Sequence, residues 1–272
     1  MKKNWLYNKT FIVSGASSGI GRGITKTLIE KYDCKIIGIG RSEEKMNQLL
    51  QELGDKSVNF SYQLFDVSKK DDWLILKNNL NGKVINGLIN CAGYLPPFKN
   101  FTKTQSEEIE KVLKVNFMSV IYSCETFLTD LLAQKQSAIV NISSMAALTP
   151  IAGTAGYSAS KGALKNFTES LQQDLKGKMY IGLIYPGFTR TDIFRMQTSK
   201  SESKLIKLFS TSCEKMVKKC IKGIRKRKKR MLYGADCKTM NLLYKFFPVK
   251  SISMFTSIMK TSNIEMFKDI FD

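Results

Sequence analysis

The chain has 272 residues, 43% of them hydrophobic, enough to bury one large α/β core or two small ones. It carries 43 Lys/Arg against 23 Asp/Glu and no histidine, a formal net charge of +20 that excludes His-based triads and imidazole-dependent zinc sites. Its six cysteines are scattered without a Cys-x-x-Cys pair, which argues for a reducing, cytoplasmic setting rather than a disulfide framework, and no metal site is expected.

Met1-Lys2-Lys3 is basic, but no apolar stretch of signal-peptide type follows it. No run of 18 apolar residues predicts a spanning helix. Residues 10–13 read as a short buried strand. Ser14-Gly15-Ala16-Ser17-Ser18-Gly19-Ile20-Gly21 follows at once, and a helical pattern opens with Ile20, Ile24, Leu28 and Ile29. Strand, glycine-rich turn and helix N-terminus together make a phosphate cradle: glycine lets the backbone approach an anion, and the helix supplies free N–H groups.

Residues 35–39 form a second predicted strand, ending at Gly40-Arg41-Ser42. In a dinucleotide fold an acid here bonds the ribose 2′-OH of NAD, whereas an arginine accepts a 2′-phosphate, so Arg41 favours NADP(H) over NAD(H). A helix over 42–53 has Ser42 as N-cap and Glu43 and Glu44 in its first turn. Residues 58–65 alternate like a strand and end at Asp66-Val67. A fourth strand over 84–89 ends in Asn90-Cys91-Ala92-Gly93. A Pro-containing loop, 94–104, leads into a long helical pattern over about 105–133. Asn116 lies inside it among apolar neighbours, a costly place for an amide unless bonded.

The fifth strand, 137–142, precedes Ser143-Ser144, and a helix over about 155–175 carries Tyr157 and Lys161. Four residues apart, those two side chains share a helix face. A nearby ammonium favours phenolate, so Lys161 is expected to lower the tyrosine pKa and make it an acid or base near neutral pH. Of the ten tyrosines only Tyr157 has a lysine four residues on. A sixth strand, 179–184, runs into Tyr185-Pro186-Gly187. Strands alternating with helices predict a Rossmann-like, doubly wound parallel sheet of about seven strands, with ligands beyond the carboxyl ends of the strands.

The charge is uneven. Residues 195–250 hold 17 Lys/Arg and three acids, Glu202, Glu214 and Asp236, a local excess of +14. Residues 188–212 read as a substrate cover, 215–229 as a basic helix, and 231–234 as a short strand. Residues 1–235 form the domain and 236–272 a C-terminal amphipathic extension. Three readings of this basic end stay open: packing on its own domain or a partner subunit, peripheral contact with anionic membrane, and nucleic-acid binding. The last is disfavoured because no base-stacking platform accompanies the cations of 225–230.

Taken together, residues 8–195 resemble the short-chain dehydrogenase/reductase family of roughly 250-residue type. The Gly15–Gly21 turn is similar to its cofactor loop, with Ser14 where threonine is usual. Asp66-Val67 matches the pair flanking the adenine, and Asn90-Cys91-Ala92-Gly93 resembles an Asn-Asn-Ala-Gly motif, with Cys91 the departure. Asn116, Ser144, Tyr157 and Lys161 fall where the family's catalytic tetrad falls. Ser144 is preferred to Ser143 because the family's serine lies thirteen residues before the tyrosine. Pro186-Gly187-Phe188-Thr189-Arg190-Thr191 resembles the stretch that holds the nicotinamide carboxamide.

The resemblance implies an NADP(H)-dependent oxidoreductase that interconverts a carbonyl and a secondary alcohol by hydride transfer. Gly15, Ser17, Ser18, Gly19, Ile20, Gly21, Arg41, Asp66, Val67, Asn90, Ala92, Gly93, Tyr157, Lys161, Pro186, Gly187, Thr189 and Thr191 would contact the cofactor. Ser144 would hold the substrate oxygen, Tyr157 would move its proton, Lys161 would bind the ribose, and Asn116 would position a water. The substrate is a small carbonyl or alcohol, hydrophobic in kind if the tail meets membrane. The family also implies a homodimer or homotetramer paired through the helices near 105–133 and 155–175. The alternative is a catalytically silent nucleotide-binding or membrane-surface scaffold.

Overall fold

The computed structural model describes residues 4–191, 210–262 and 264–272. Seven parallel strands form one sheet in the order β3-β2-β1-β4-β5-β6-β9. These are β1 Thr10–Ser14, β2 Lys35–Gly40, β3 Phe60–Leu64, β4 Gly87–Asn90, β5 Ala138–Ile142, β6 Tyr180–Pro186 and β9 Arg230–Tyr233. Two short strands outside it, β7 Thr189–Arg190 and β8 Thr211–Ser212, pair with each other. The predicted Rossmann-like, doubly wound sheet is the one observed.

Alternation along each strand decides which layer each residue joins. Phe11 and Val13 of β1 pack toward α1 (Gly19–Tyr32), α2 (Glu43–Leu53) and α7 (Cys213–Arg225), in a core with Ile24, Leu28, Met46, Leu49 and Met216. Ile12 points the other way, into a core with Trp73 of α3 (Lys70–Leu80), Phe127 of α5 (Ser119–Leu132) and Leu164 of α6 (Ala155–Asp174). Each fully buried large aliphatic contributes about 1.5–3 kcal/mol. Both faces are covered, which is why the strands read as continuous apolar runs.

The order reverses between β1 and β4, whose carboxyl ends pair Ser14 with Asn90. A crevice opens at such a switch point, and helices diverge to either side of it.

Several expectations need correction. The helix over 105–133 is not continuous: α4 (Ser106–Leu113) passes through a π-helical turn, Lys114–Met118, before α5. The turn is centred on Asn116, whose amide is tied to the backbone of Tyr94. The third strand is shorter than 58–65, because Val58 lies in a 3-10 turn, Gly54–Asn59, and is exposed.

The basic helix stops at Arg225 rather than 229. There the Arg227 N–H bonds the Ile224 carbonyl and the Lys228 N–H that of Gly223, a Schellman stop with Arg227 in the left-handed region at φ 50°. Glycine or asparagine usually marks such a stop; here the Arg227 guanidinium instead lies 4.9 Å over the Trp5 ring. Gln172 donates to the Lys229 carbonyl, fixing the chain's return to β9.

Beyond β9 come α8 (Ala235–Phe246), α9 (Pro248–Thr261) and a 3-10 turn, Glu265–Ile270. Their inner faces join a third core with Leu183 and Tyr185 of β6 and Leu95, Phe98 and Met145 of the loops above the sheet. Among the described residues no helix is long and apolar enough to cross a membrane. Of the expected substrate cover, 192–209 lies outside the described residues.

Candidate active site

The turn after β1 must bend sharply to enter α1. Gly15 has φ +70°, and its N–H bonds the Ile39 carbonyl at 2.9 Å. A Cβ on it would lie 2.9 Å from the Ala92 N, so the approach of the two turns requires glycine. Ser14 is buried, and its hydroxyl accepts from the N–H groups of Cys91 and Ala92 at 3.1 and 3.2 Å. Helix α1 starts at Gly19 with no side chain capping its N-terminus and no acid in its first turn. Its free N–H groups and positive dipole end are thus left for an anion.

A cleft of about 340 Å³ runs from this turn across the carboxyl ends of the strands. Gly15, Ser17, Ser18, Gly19, Ile20, Arg41, Asp66, Val67, Ala92, Gly93, Ser144, Tyr157, Lys161, Pro186, Gly187, Thr189 and Thr191 all line it. Asp66 and exposed Arg41 share one end of it. Burial opposes ionisation of Asp66, but hydrogen bonds from the Ser68 N–H and hydroxyl and the field of Arg41 outweigh it, leaving the carboxyl below its usual range. At the opposite side Gly19 faces Thr191, whose side chain would lie 3.3 Å from a Cβ there. An uncapped helix start, a glycine cradle and a cation beyond β2 fit a dinucleotide phosphate.

Two expected contacts, Asn90 and Gly21, sit beneath the cleft instead of on it, and so does Asn116, expected to position a water. Asn90 is buried; its Nδ2 donates to Asn141 Oδ1 at 2.9 Å and its Oδ1 accepts from the Ser123 hydroxyl at 3.0 Å. Its amide knits β4, β5 and α5, with Asn141 passing the chain of bonds to Thr168 of α6. Gly21 abuts the Gly15 carbonyl and the Cys91 thiol, so it allows close packing under the turn. Asn116 is fully buried, its amide bonded to the backbone N–H and carbonyl of Tyr94 at 2.7 and 2.9 Å and to Ser160 at 3.1 Å.

The remaining tetrad residues meet on the wall of the cleft. Lys161 Nζ lies 5.9 Å from the centroid of the Tyr157 ring and donates to the Ile142 carbonyl at 3.1 Å. A Cβ at Gly93 would lie 3.4 Å from Asn116 Oδ1 and 3.6 Å from Lys161 Nζ, so these groups converge behind Tyr157. The Ser144 side chain lies beside Tyr157 and acts to lower the phenol's pKa, while its hydroxyl accepts from the Ala146 N–H at 3.2 Å. Ser143 instead donates to the Lys161 carbonyl at 3.1 Å and is buried, which separates the roles of the two serines.

The electrostatics correct one expectation. Lys161 does not lower Tyr157: burial raises the phenol above its ordinary value, opposed by the Ser144 side chain. Burial also depresses the Lys161 ammonium to about 8, with the Cys91 thiol pulling it the other way. The lysine Nζ approaches the ring face and bonds the Ile142 carbonyl, so burial sets the direction of the Tyr157 shift.

Sequence reasoning missed the far end of the cleft. Leu95, Phe98, Met145, Ile151 and Phe188 form an apolar wall there. Apart from Phe188, which lies in the Pro186–Thr191 stretch, these residues carry no motif; only their position after β4 and β5 could have flagged them. It also missed Asp236. In the first turn of α8 this half-buried carboxylate accepts from the Phe188 N–H and abuts Gly187. Burial holds its carboxyl above the usual range, against the pull of the Phe188, Cys237 and its own N–H.

A short chain dehydrogenase family model matches residues 9–202. Carbonyl reductase family member 4 of Xenopus laevis is 32% identical over 206 residues, covering 74% of this chain and 84% of that protein. The 3-oxoacyl-[acyl-carrier-protein] reductase FabG of Chlamydia muridarum is 30% identical over 206 residues, covering 74% and 82%. Among solved structures, a closed form of serine dehydrogenase complexed with NADP+ superposes with a TM-score of 0.73 at 23% identity, over 82% of this chain and 94% of that one. A Burkholderia phymatum short chain dehydrogenase/reductase in complex with NAD gives 0.77 at 20%, over 92% and 96%. At these identities the structural matches speak for the fold, while the sequence matches carry the kinship: the chain belongs to the short-chain dehydrogenase/reductase family of oxidoreductases.

Proposed function

We propose that this chain is an NADP(H)-dependent oxidoreductase that interconverts a carbonyl and a secondary alcohol. The reading rests on one observation above all: a half-buried tyrosine, beside Ser144 and backed by Lys161, on the wall of a cleft that begins at an uncapped helix N-terminus. When bound, the nicotinamide supplies or accepts the hydride. The Ser144 hydroxyl holds the substrate oxygen, and Tyr157 gives or takes its proton. Tyr157 gives its proton in carbonyl reduction and takes it back in the reverse oxidation. Lys161 binds ribose hydroxyls, Asn116 shapes the floor behind it, and Arg41 receives a 2′-phosphate.

The apolar wall of Leu95, Phe98, Met145, Ile151 and Phe188 suits a hydrophobic carbonyl compound. Subunits pair through the outer faces of the helices within 105–133 and 155–175, as family members commonly do, in a cytoplasmic setting. The test is a ketone panel assayed by NADPH oxidation, with cofactor affinity measured separately by titration. Tyr157→Phe is expected to lower kcat by at least about a thousandfold and leave NADPH affinity within about twofold. Turnover near that of the native chain in this variant would remove Tyr157 from the mechanism, and NADH binding as tightly as NADPH would remove Arg41 from cofactor choice.

A further inference from the structure

We infer that the corner joining α8 to α9 docks on an anionic lipid surface, which delivers a membrane-borne carbonyl substrate to the apolar end of the cleft. The second half of this inference rests on the oxidoreductase reading above; the first half does not. Exposed apolar side chains gather at this corner. Leu242 and Phe246 lie one turn apart on α8, Phe247 and Val249 flank the bend, and Met254 and Ile258 lie one turn apart on α9. Phe246 is 62% and Val249 76% exposed, although both belong to a segment whose other faces pack into the third core. So many unburied large side chains in so short a stretch mark an interaction surface.

Charge decides what covers it. Residues 237–264 contain four lysines, Lys238, Lys245, Lys250 and Lys260, and no acid. All four lysines are exposed. A second copy seated on the same patch would bring these cations together without a counter-charge, so self-association there is opposed. Nucleic acid would meet the cations but leave the apolar side chains unburied. An anionic bilayer satisfies both at once: headgroups meet the ammonium groups, and the acyl boundary takes up Phe246, Phe247 and Val249. Lys245 Nζ sits 5.7 Å from the Phe246 ring centroid, a cation beside an aromatic of the kind that suits this interface.

The hydroxyls of α9 supply an independent observation. Ser253, Ser257 and Thr261 are exposed, yet each donates back to the carbonyl four residues earlier, on Val249, Ser253 and Ser257. Their O–H groups are satisfied within the helix, so moving this face out of water leaves no donor unpaired. The opposite side of α9 reaches the cleft: Phe255 lies 6.4 Å from Phe188, and Met259 is buried in the core that holds Leu95 and Phe98. A lipid-soluble ketone leaving the bilayer at this corner therefore meets the apolar wall that ends at Tyr157.

The experiment uses the full chain and two vesicle preparations, phosphatidylcholine alone and an equal mixture with phosphatidylserine. The native chain is expected to pellet with the mixed vesicles and to be released by salt. The triple variant Phe246→Ser, Phe247→Ser, Val249→Ser should bind them at least about tenfold more weakly. Its NADPH titration and its reduction of a water-soluble ketone should match those of the native chain, and its turnover of a vesicle-embedded ketone should fall. A charge-run variant, Lys226→Gln, Lys228→Gln, Lys229→Gln, should keep most vesicle binding.

Failure of the native chain to pellet overturns the docking, as does loss of binding in the charge-run variant with the triple variant unaffected. Smaller native mass in the triple variant without vesicles would make the patch a contact between copies and overturn it too. Equal turnover of the embedded ketone by both proteins would overturn the delivery step. If vesicle binding behaves as stated but neither ketone is reduced by the native chain, the oxidoreductase reading fails and the docking stands.

Discussion

Tyr157 and Lys161 are a helix turn apart, and their separation in sequence says nothing about how dry their surroundings are. Burial raises the phenol and depresses the ammonium to about 8 from 10.5. The lysine shift has a consequence for stability. Between about pH 8 and 10.5 the unfolded chain holds a proton at this site that the folded chain has released. Stability from this group therefore rises with pH across that window. Below it, the buried ammonium costs roughly 3 kcal/mol relative to the same group in water. Lys161→Met is expected to be more stable than the native chain below the window and to lose that advantage above it. Urea midpoints on either side of the window check this; a difference that does not change with pH would show that Lys161 is already neutral or well solvated.

Among elements, the turn between β1 and α1 is the most constrained. Gly15 combines a positive φ with a close approach to the backbone of Ala92. Gly15→Ala is expected to cost roughly 2–4 kcal/mol, from left-handed strain and overpacking together. Denaturant midpoints measure the cost, and NADPH titration should show affinity lost beyond what unfolding explains. A neutral substitution would mean that the two turns can part. This turn, the capping of α2 by Ser42 and every strand of the sheet through β6 were legible in the sequence, because glycine spacing, cap residues and apolar runs are local signals. The π turn at Asn116 and the stop at Arg227 were not. Both depend on partners distant in sequence, the Tyr94 backbone and the Trp5 ring.

Across the whole molecule, the C-terminal segment is bound into the site. Asp236 at the start of α8 holds the Phe188 N–H, and Phe267 stacks edge-on against Phe98 at 5.2 Å. The Asn100 N–H donates to the Asp269 carbonyl at 2.8 Å. Two of the three loops that form the apolar wall, those after β4 and β6, are thus braced by residues after 235. Asp236→Ala removes the carboxylate that accepts from the Phe188 N–H, at a cost of about 1–3 kcal/mol. With the Pro186–Thr191 strap loosened, kcat/KM should fall about tenfold while the thermal midpoint drops only modestly. Unchanged kinetics in a folded variant would make Asp236 a purely structural cap.

By itself the sequence determined the parallel αβ order, the phosphate turn, the family and the placing of Ser144, Tyr157 and Lys161. Each follows from periodicity, turn chemistry or motif spacing, which act over a few residues. Only the tertiary structure decided that Asn90 and Asn116 serve the floor and not the cleft wall. The same is true of the direction of the Tyr157 shift and of the apolar wall closed by the C-terminal helices. The reason is physical: burial, dielectric and hydrogen-bond partnership belong to the surroundings of a side chain, and those surroundings are assembled from segments that lie far apart along the chain.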